Sequence, residues 1–359
     1  MRQSLAQPPS TCPQTYKKKT HRSIMKRLPK ASTDNAWMYF LFHRLRQLPP
    51  RTLGALAAVI TVLIWTAFIV IARASAQGHL LPLDIACMRI VGASVILLPW
   101  GYVYVRRLRE QQAHAGSFFG LSPLPWHITL RCGVFGGLLY AVFAYSGFFF
   151  APAAHGSVLM PGTLALWASL LAIPLLGERL HSNRLLGLAC ITGGGLLVGG
   201  NSLLHALDGG EVWKGDLLFM SAAFCWSTYS VLSRRYGLQA IPAIIAITCC
   251  AFFSFVPAYA LLCASGVLQT HLFTAPLSEV LFQAAFQGGG SVVVSGITFT
   301  QMIRYYGPVR STMITSLVPG LSALGAVWWL GEPLDWHLIV GLLLVTGGIV
   351  FGVQKARQG

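Results

Sequence analysis

The sequence predicts an all-α integral membrane protein, with ten transmembrane helices arranged as two inverted five-helix repeats. Three observations predict it. Of 359 residues, 55% are hydrophobic and only 10% are charged, against about 25% charged in ordinary soluble domains. A corner, Leu176-Gly177-Glu178-Arg179-Leu180 before a run holding Gly193-Gly194-Gly195, returns as Leu330-Gly331-Glu332-Pro333-Leu334 before Gly347-Gly348. The basic residues, finally, collect at alternate connections, as they do in a chain threaded back and forth through a bilayer.

The remaining composition narrows the class. Mean hydropathy is +0.63, that of a polytopic membrane protein rather than a large soluble core. The net charge of +16 lies between apolar runs and not on one domain face, so nucleic acid is not an expected partner. No CxxC spacing occurs among the eight cysteines, and Cys87, Cys132, Cys190, Cys225, Cys249 and Cys250 sit inside apolar segments. They read as small packing residues, with no disulfide framework and no metal site.

Residues 1–51 differ from the rest. They carry eleven Lys and Arg against one acid, Asp34, and Pro8-Pro9, Pro13 and Pro49-Pro50 interrupt regular structure. A disordered basic cytoplasmic tail that touches anionic lipid headgroups is expected. The apolar patch Ala36–Phe42 is too short to span and too short for a signal peptide. Met25 and Met38 are further possible translation starts beside Met1.

Ten apolar segments follow, near 52–73, 84–105, 127–149, 155–176, 184–200, 215–234, 242–264, 279–303, 308–330 and 336–354. Each approaches the roughly 20 residues that a hydrocarbon core requires. They divide into a first repeat over 52–200, an external linker over 201–214, a second repeat over 215–354 and a cytoplasmic C-terminus over 355–359.

With the N-terminus in the cytoplasm, the cytoplasmic side takes the tail together with Arg106, Arg107, Arg109, Arg131, Arg179, Arg184, Arg234, Arg235, Arg304, Arg310, Lys355 and Arg357. The outside keeps Lys214 and Arg73. Both termini are then cytoplasmic, in a multi-pass protein of the cell's inner (plasma) membrane. Five is odd, so the second repeat enters from the other side, and Gly331-Glu332 is external where Gly177-Glu178 is cytoplasmic. That plan is common among secondary transporters, whose solute lies near the midplane between the halves.

The duplication runs deeper than the corners. Laying Gly177 on Gly331 also matches Leu170, Leu176, Glu178, Leu180, Gly187, Leu188, Thr192, Gly193 and Gly194 with identical residues. Laying Trp65 on Trp226 aligns Thr66 with Ser227 and Arg73 with Arg234. A Trp-hydroxyl pair in the first helix, an Arg in the second, and a Leu-Gly-Glu corner before a glycine-rich last helix together resemble the EamA-type transporters of the drug/metabolite transporter superfamily. The resemblance covers residues 52–354. In that family the fourth helix of a repeat often holds a proline twelve residues before the corner glycine. Pro319 stands there in the second half, but the matching position in the first is Ala165, and the nearest proline is Pro161. Arg89 likewise has no arginine counterpart, since the matching position falls near Cys249.

Candidate solute-binding residues are Arg89, Trp65, Trp226, Tyr145, Tyr229 and Gln301. Arg89 is the basic residue set well inside an apolar segment, where a charge costs at least about 2.5–3.5 kcal/mol. It faces the bundle interior or water, or else pairs with Asp84 or snorkels outward. Trp65 and Trp226 are either cavity walls or packing residues. Tyr145, Tyr229 and Gln301 are polar groups that must find partners in the bilayer. Pro161 and Pro319 interrupt backbone bonds and are candidate hinges. Glu178 and Glu332 read as carboxylates stabilising the start of the following helix. Asp335 reads as the N-cap of the last helix, with Ser182 or Asn183 serving the fifth. Gly133, Gly136, Gly137, Gly156, Gly162 and Gly288-Gly289-Gly290 let helices approach closely, and His127 and His155 mark helix ends.

No GxxxxGK[ST] motif occurs, so this chain is not expected to bind ATP for pumping, and no cofactor is expected. The expected function is a secondary transporter moving a small organic metabolite, an amino acid or similar, by alternating access and in the export direction. A membrane enzyme would need Asp, His and Ser clustered at one face, which the sequence lacks. A non-transporting scaffold would tolerate loss of Arg89 and both tryptophans.

Overall fold

The computed structural model describes residues 49–110, 116–177, 182–205, 210–315, 317–333 and 335–354. Most of the tail, the stretch 206–209 and the C-terminal residues 355–359 therefore lie outside the described residues, as does Glu178. Among the described residues there is no β-strand, and ten helical segments follow one another. These are α1 (Pro50–Ser75), α2 (Pro82–Arg109), α3 (Trp126–Phe150), α4 (Ala153–Leu176), α5 (Ser182–His205), α6 (Val212–Arg235) and α7 (Ala240–Ala264). α8 is made of Leu277–Gln283, Ala284–Val294 and Ser295–Thr315, and α9 (Leu317–Leu330) and α10 (Trp336–Gln354) complete the chain.

Most of α1, α2, α3, α4, α7 and α8 is long and apolar enough to cross a membrane, while α9 and the apolar parts of α5 and α10 are shorter. At 1.5 Å per residue, α6 reaches about 36 Å, enough for a core of about 30 Å. The outward side chains are apolar. Val59, Val95, Leu196, Leu261 and Trp328 are each more than half exposed, a surface suited to lipid rather than water.

The α5–α10 contact records the duplication most directly. Gly187 of α5 matches Gly341 of α10 in the repeat, and Gly194 matches Gly348. In space the partners are exchanged. A Cβ on Gly194 would lie 2.5 Å from the Gly341 carbonyl oxygen, and one on Gly348 would lie 2.6 Å from that of Gly187. Equivalent residues crossing antiparallel is what a two-fold axis between the repeats requires, and it lets the backbones touch. This is the inverted repeat in atomic detail.

The two corners behave alike. Gly177 and Gly331 both adopt left-handed φ, 69° and 68°, and their N–H groups close the preceding helices onto Ile173 and Val327, as expected of a glycine that ends a helix. The ends of the bundle are named here for them. The Gly331 face gathers the α1–α2, α3–α4, α7–α8 and α9–α10 turns. The start of α6 lies there too, with Asp216 on His155 and Lys214 over Phe150, and the Gly177 face carries the α2–α3 and α6–α7 turns.

Two local expectations change. α8 stays helical past residue 303 to Thr315; residue 316 lies outside the described residues, and Pro319 sits near the Leu317 end of α9. In the α2–α3 connection, residues 116–125 fold back on themselves. Ser117 and Ser122 exchange backbone hydrogen bonds of 2.8 and 3.1 Å, and the Leu121 carbonyl rests against Gly101. Glu332, finally, does not serve the helix that follows it, as described below.

Candidate functional site

A cavity of about 110 Å³ lies in the middle of the bundle. It holds several times the roughly 10–15 Å³ that one water needs, so it is more than a packing defect. Helices α1–α4 and α6–α9 all contribute to its walls, while α5 and α10 contribute none of the lining residues. The duplication explains this division. The first four helices of each repeat enclose the space, and the fifth helices clamp the halves together.

Arg89, on α2, is the one charged side chain among the described lining residues. It is 8% exposed, and its environment distributes its charge. Nη1 donates to Ser291 Oγ at 2.9 Å, to the Tyr145 hydroxyl at 3.4 Å and to the Gln287 carbonyl at 3.5 Å. The guanidinium carbon lies 5.5 Å from the Phe68 ring centre and 5.8 Å from that of Tyr140, distances at which ring faces attract a cation. Nε and Nη2 have no acceptor among the described residues. Asp84, the alternative partner by sequence, is bonded elsewhere. One edge of a desolvated cation thus remains available in a cavity without a carboxylate, where an anionic group is attracted far more strongly than in water.

The aromatic walls repeat the two-fold pattern. Trp65 on α1 packs 5.0 Å from Phe299 on α8, and Trp226 on α6 packs 5.0 Å from Tyr140 on α3. Each repeat's tryptophan therefore meets an aromatic ring on the third helix of the other repeat. The same third helices depart from α geometry beside the cavity. Val134–Leu139 in α3 and Ala284–Val294 in α8 are π-helical, a form concentrated at functional sites. These stretches present Gly136 and Gly137 on one wall and Ser291 and Val292 on the other. Pro161 also lines the cavity. It lies where α4 divides into Ala153–Leu159 and Leu164–Leu176, and a broken helix at a central site frees backbone groups for a solute.

The sequence model of the EamA-like transporter family matches residues 52–200 and 213–353, one copy in each repeat. The chain belongs to the EamA-like transporter family. It is a multi-pass membrane transporter rather than an enzyme. Among curated relatives of this EamA protein is the uncharacterized transporter YyaM of Bacillus subtilis (strain 168), 23% identical over 223 residues, which are 59% of this chain and 70% of that one. A solved structure described only as the crystal structure of a protein is 22% identical. It covers 86% of this chain and 100% of its own, at a TM-score of 0.53; that likeness carries the fold alone.

Of the other candidates in this EamA transporter, Tyr145 is buried behind Arg89, with its hydroxyl donating to Gln287 Oε1 at 2.8 Å. Tyr229 lies 5.2 Å from Trp226 with the rings tilted by 58° and packs over Gly136 without lining the cavity. Gln301 and Pro319 are not among the lining residues either. Asp335 immediately precedes α10, and its carbonyl accepts the N–H groups of Leu338 and Ile339. His155 marks the start of α4, but it also contacts Asp216 of α6 at 2.9 Å.

Gln287 and Ser291 escaped the reading of the sequence. Gln287 is completely buried, and its Nε2 has no partner among the described residues. The triplet Gly288-Gly289-Gly290 between them was the available signal, because such a run in an apolar helix marks an irregular backbone.

Proposed function

We propose that this chain is a secondary transporter that moves a small organic metabolite bearing an acidic group, an amino acid or similar, across the plasma (inner) membrane by alternating access. The observation that carries the reading is the free edge of Arg89 in a central cavity between two repeat-related tryptophans. A carboxylate entering that cavity exchanges water for a two-pronged guanidinium, while its apolar body lies against Trp65, Trp226 and Phe299. The inverted repeat supplies two related conformations, each opening the cavity to one side. Charge distribution supports cytoplasmic termini, with the basic tail on anionic headgroups and the Gly331 face outside. Export is the proposed direction.

The test begins with metabolite profiles of cells that have or lack the protein. Acidic solutes that change are then assayed by counterflow in liposomes. Uptake of such a solute above that of empty liposomes, competed by its amide more weakly than by the acid, is the expected result. No counterflow with any acid that the profiles identify would overturn the proposal.

A further inference from the structure

Polar links between the repeats gather at the Gly331 face, and three carboxylates there each hold the turn or helix end of the opposite half. Glu332, from the corner of the second repeat, receives Arg73 Nε at 3.2 Å and the N–H groups of Ala153 and Ala154 at 3.1 and 3.3 Å. Arg73 also donates from Nη1 to the Phe148 carbonyl at 2.7 Å. One carboxylate thus fastens the ends of α1, α3 and α4. Asp84, from the first repeat, does the reverse. It accepts the Tyr259 hydroxyl of α7, the Thr270 hydroxyl at 3.0 Å and the His271 N–H at 2.9 Å. Glu279 of α8 holds the α1–α2 turn through the His79 N–H at 3.2 Å and its ring Nδ1 at 2.9 Å. Further links are His155 to Asp216, Gln283 to the Ser75 hydroxyl and the His271 ring to the His79 carbonyl.

The space between these links and the cavity is filled. Ile85, Tyr145, Phe148 and Phe219 are fully buried there, within a single cluster that also takes in Ala72, Leu80 and Ala144. Toward the Gly177 face, the described buried residues form smaller separate clusters, and the polar links described between the repeats use no carboxylate: Thr61 to Thr298 at 2.8 Å, Ser227 to the Leu164 carbonyl at 3.1 Å, and Arg131 to the Tyr236 hydroxyl at 2.8 Å. The structure is therefore sealed at one mouth, by contacts that must part before that mouth opens.

From this geometry we infer that Asp84 and Glu332, with Arg73, are transport residues: a reciprocal carboxylate clasp that shuts the Gly331 mouth of the cavity and must release for solute to pass. The inference rests on the alternating-access reading above. Its chemistry suits a reversible closure. Partly buried charge-assisted bonds are strong enough to hold the ends together, yet once apart each partner regains water at the membrane surface.

The test uses Ser295→Cys, on the cavity wall, in the full-length protein; no native cysteine is among the lining residues. A membrane-impermeant anionic methanethiosulfonate is added to intact cells or to inverted vesicles, and labelling is counted above the protein without Ser295→Cys. With the clasp intact, labelling should come from the Gly177 side. Adding E332Q or D84N should raise the rate from the Gly331 side by about tenfold or more, the factor that 1.4 kcal/mol makes in an equilibrium. Arg73→Lys, which keeps the charge, should give an intermediate rate and serves where E332Q fails to accumulate. Unchanged protection from the Gly331 side in these variants, folded by size-exclusion elution, overturns the clasp while the transport reading stands. A cysteine reached from neither side in any variant overturns the transport reading itself.

Discussion

Replacing Arg89 is the most direct test of the site. Arg89→Gln removes the charge while keeping a hydrogen-bonding side chain. The free Nε and Nη2 edge can give a solute carboxylate two charge-assisted bonds, each contributing about 1.5–3 kcal/mol. Losing both raises the barrier for an acidic solute by about 3–6 kcal/mol, so its transport efficiency should fall by about 10²–10⁴-fold. Arg89→Lys keeps a point charge without the fork and should lose about tenfold. Folding should suffer much less. The bonds that Nη1 gives to Ser291, Tyr145 and Gln287 disappear, but so does a desolvated charge costing about 2.5–3.5 kcal/mol in the bilayer. The assay is liposome counterflow normalised to folded protein, with thermal unfolding of the same preparations in detergent. Normal flux with Gln at position 89 would remove Arg89 from the site. A large loss of thermal stability with normal flux per folded molecule would make it a structural residue.

The frame itself makes further predictions. Reporter fusions after residues 110, 180, 236 and 306 should report cytoplasm, and those after 80, 207, 270 and 334 the outside; an odd helix count would refute the inverted arrangement. Gly194→Ala should lower the unfolding temperature, because its Cβ meets the Gly341 carbonyl at 2.5 Å, an overpacking that costs about 1–3 kcal/mol. Gly193→Ala, one position away with nothing within 4 Å, should be neutral or stabilising by up to about 1 kcal/mol; equal effects would refute the α5–α10 contact. A protein beginning at Pro49 should insert and keep its counterflow, since the tail has too little apolar content to offset the entropy of ordering.

The sequence was most legible where one signal had one physical meaning. Apolar runs of bilayer length became helices, and Gly177 and Gly331 became left-handed corners. Trp65 and Trp226 met in one cavity because the duplication had already paired them. It was least legible where a residue's partner came from the other half. Glu332 sits just ahead of α10, and the dipole rule assigns it there, yet its bonds go to Arg73 and to the start of α4. No local pattern contains that. π-helical turns were invisible for a different reason: Val134–Leu139 holds no polar residue and Ala284–Val294 only Gln287 and Ser291, too few for the hydrophobic period to be read. The consequence reaches Gln301, because assigning a helix face across the irregular part of α8 loses phase, and the polar group beside Arg89 turned out to be Gln287. The boundary between the eighth and ninth helices was misplaced because Gly307-Pro308 reads as the start of a helix, whereas α8 passes through both positions.

An inverted repeat of identical halves would have two conformations of equal energy, each the mirror of the other in sidedness. This chain departs from that balance in two places, and the departures act on different steps. Arg89 has no counterpart in the second repeat, so the cavity carries its charge on one wall in both conformations, and the charge decides what binds. The clasp at the Gly331 face exists only while that face is closed, so it decides how often the face opens. If it favours closure by about 2.7 kcal/mol, the open form is populated to about 1% at rest, which slows exchange without affecting affinity for the solute in the open state. E332Q should therefore speed solute exchange across liposomes wherever opening limits it, whereas Arg89→Gln slows exchange by weakening binding. The double variant should behave as Arg89→Gln does, because a mouth that opens more often gains nothing when the solute is not held. An E332Q protein that is folded but exchanges more slowly than its parent would show that closure is not the limiting step, and that Glu332 acts in transport by some route other than holding the mouth shut.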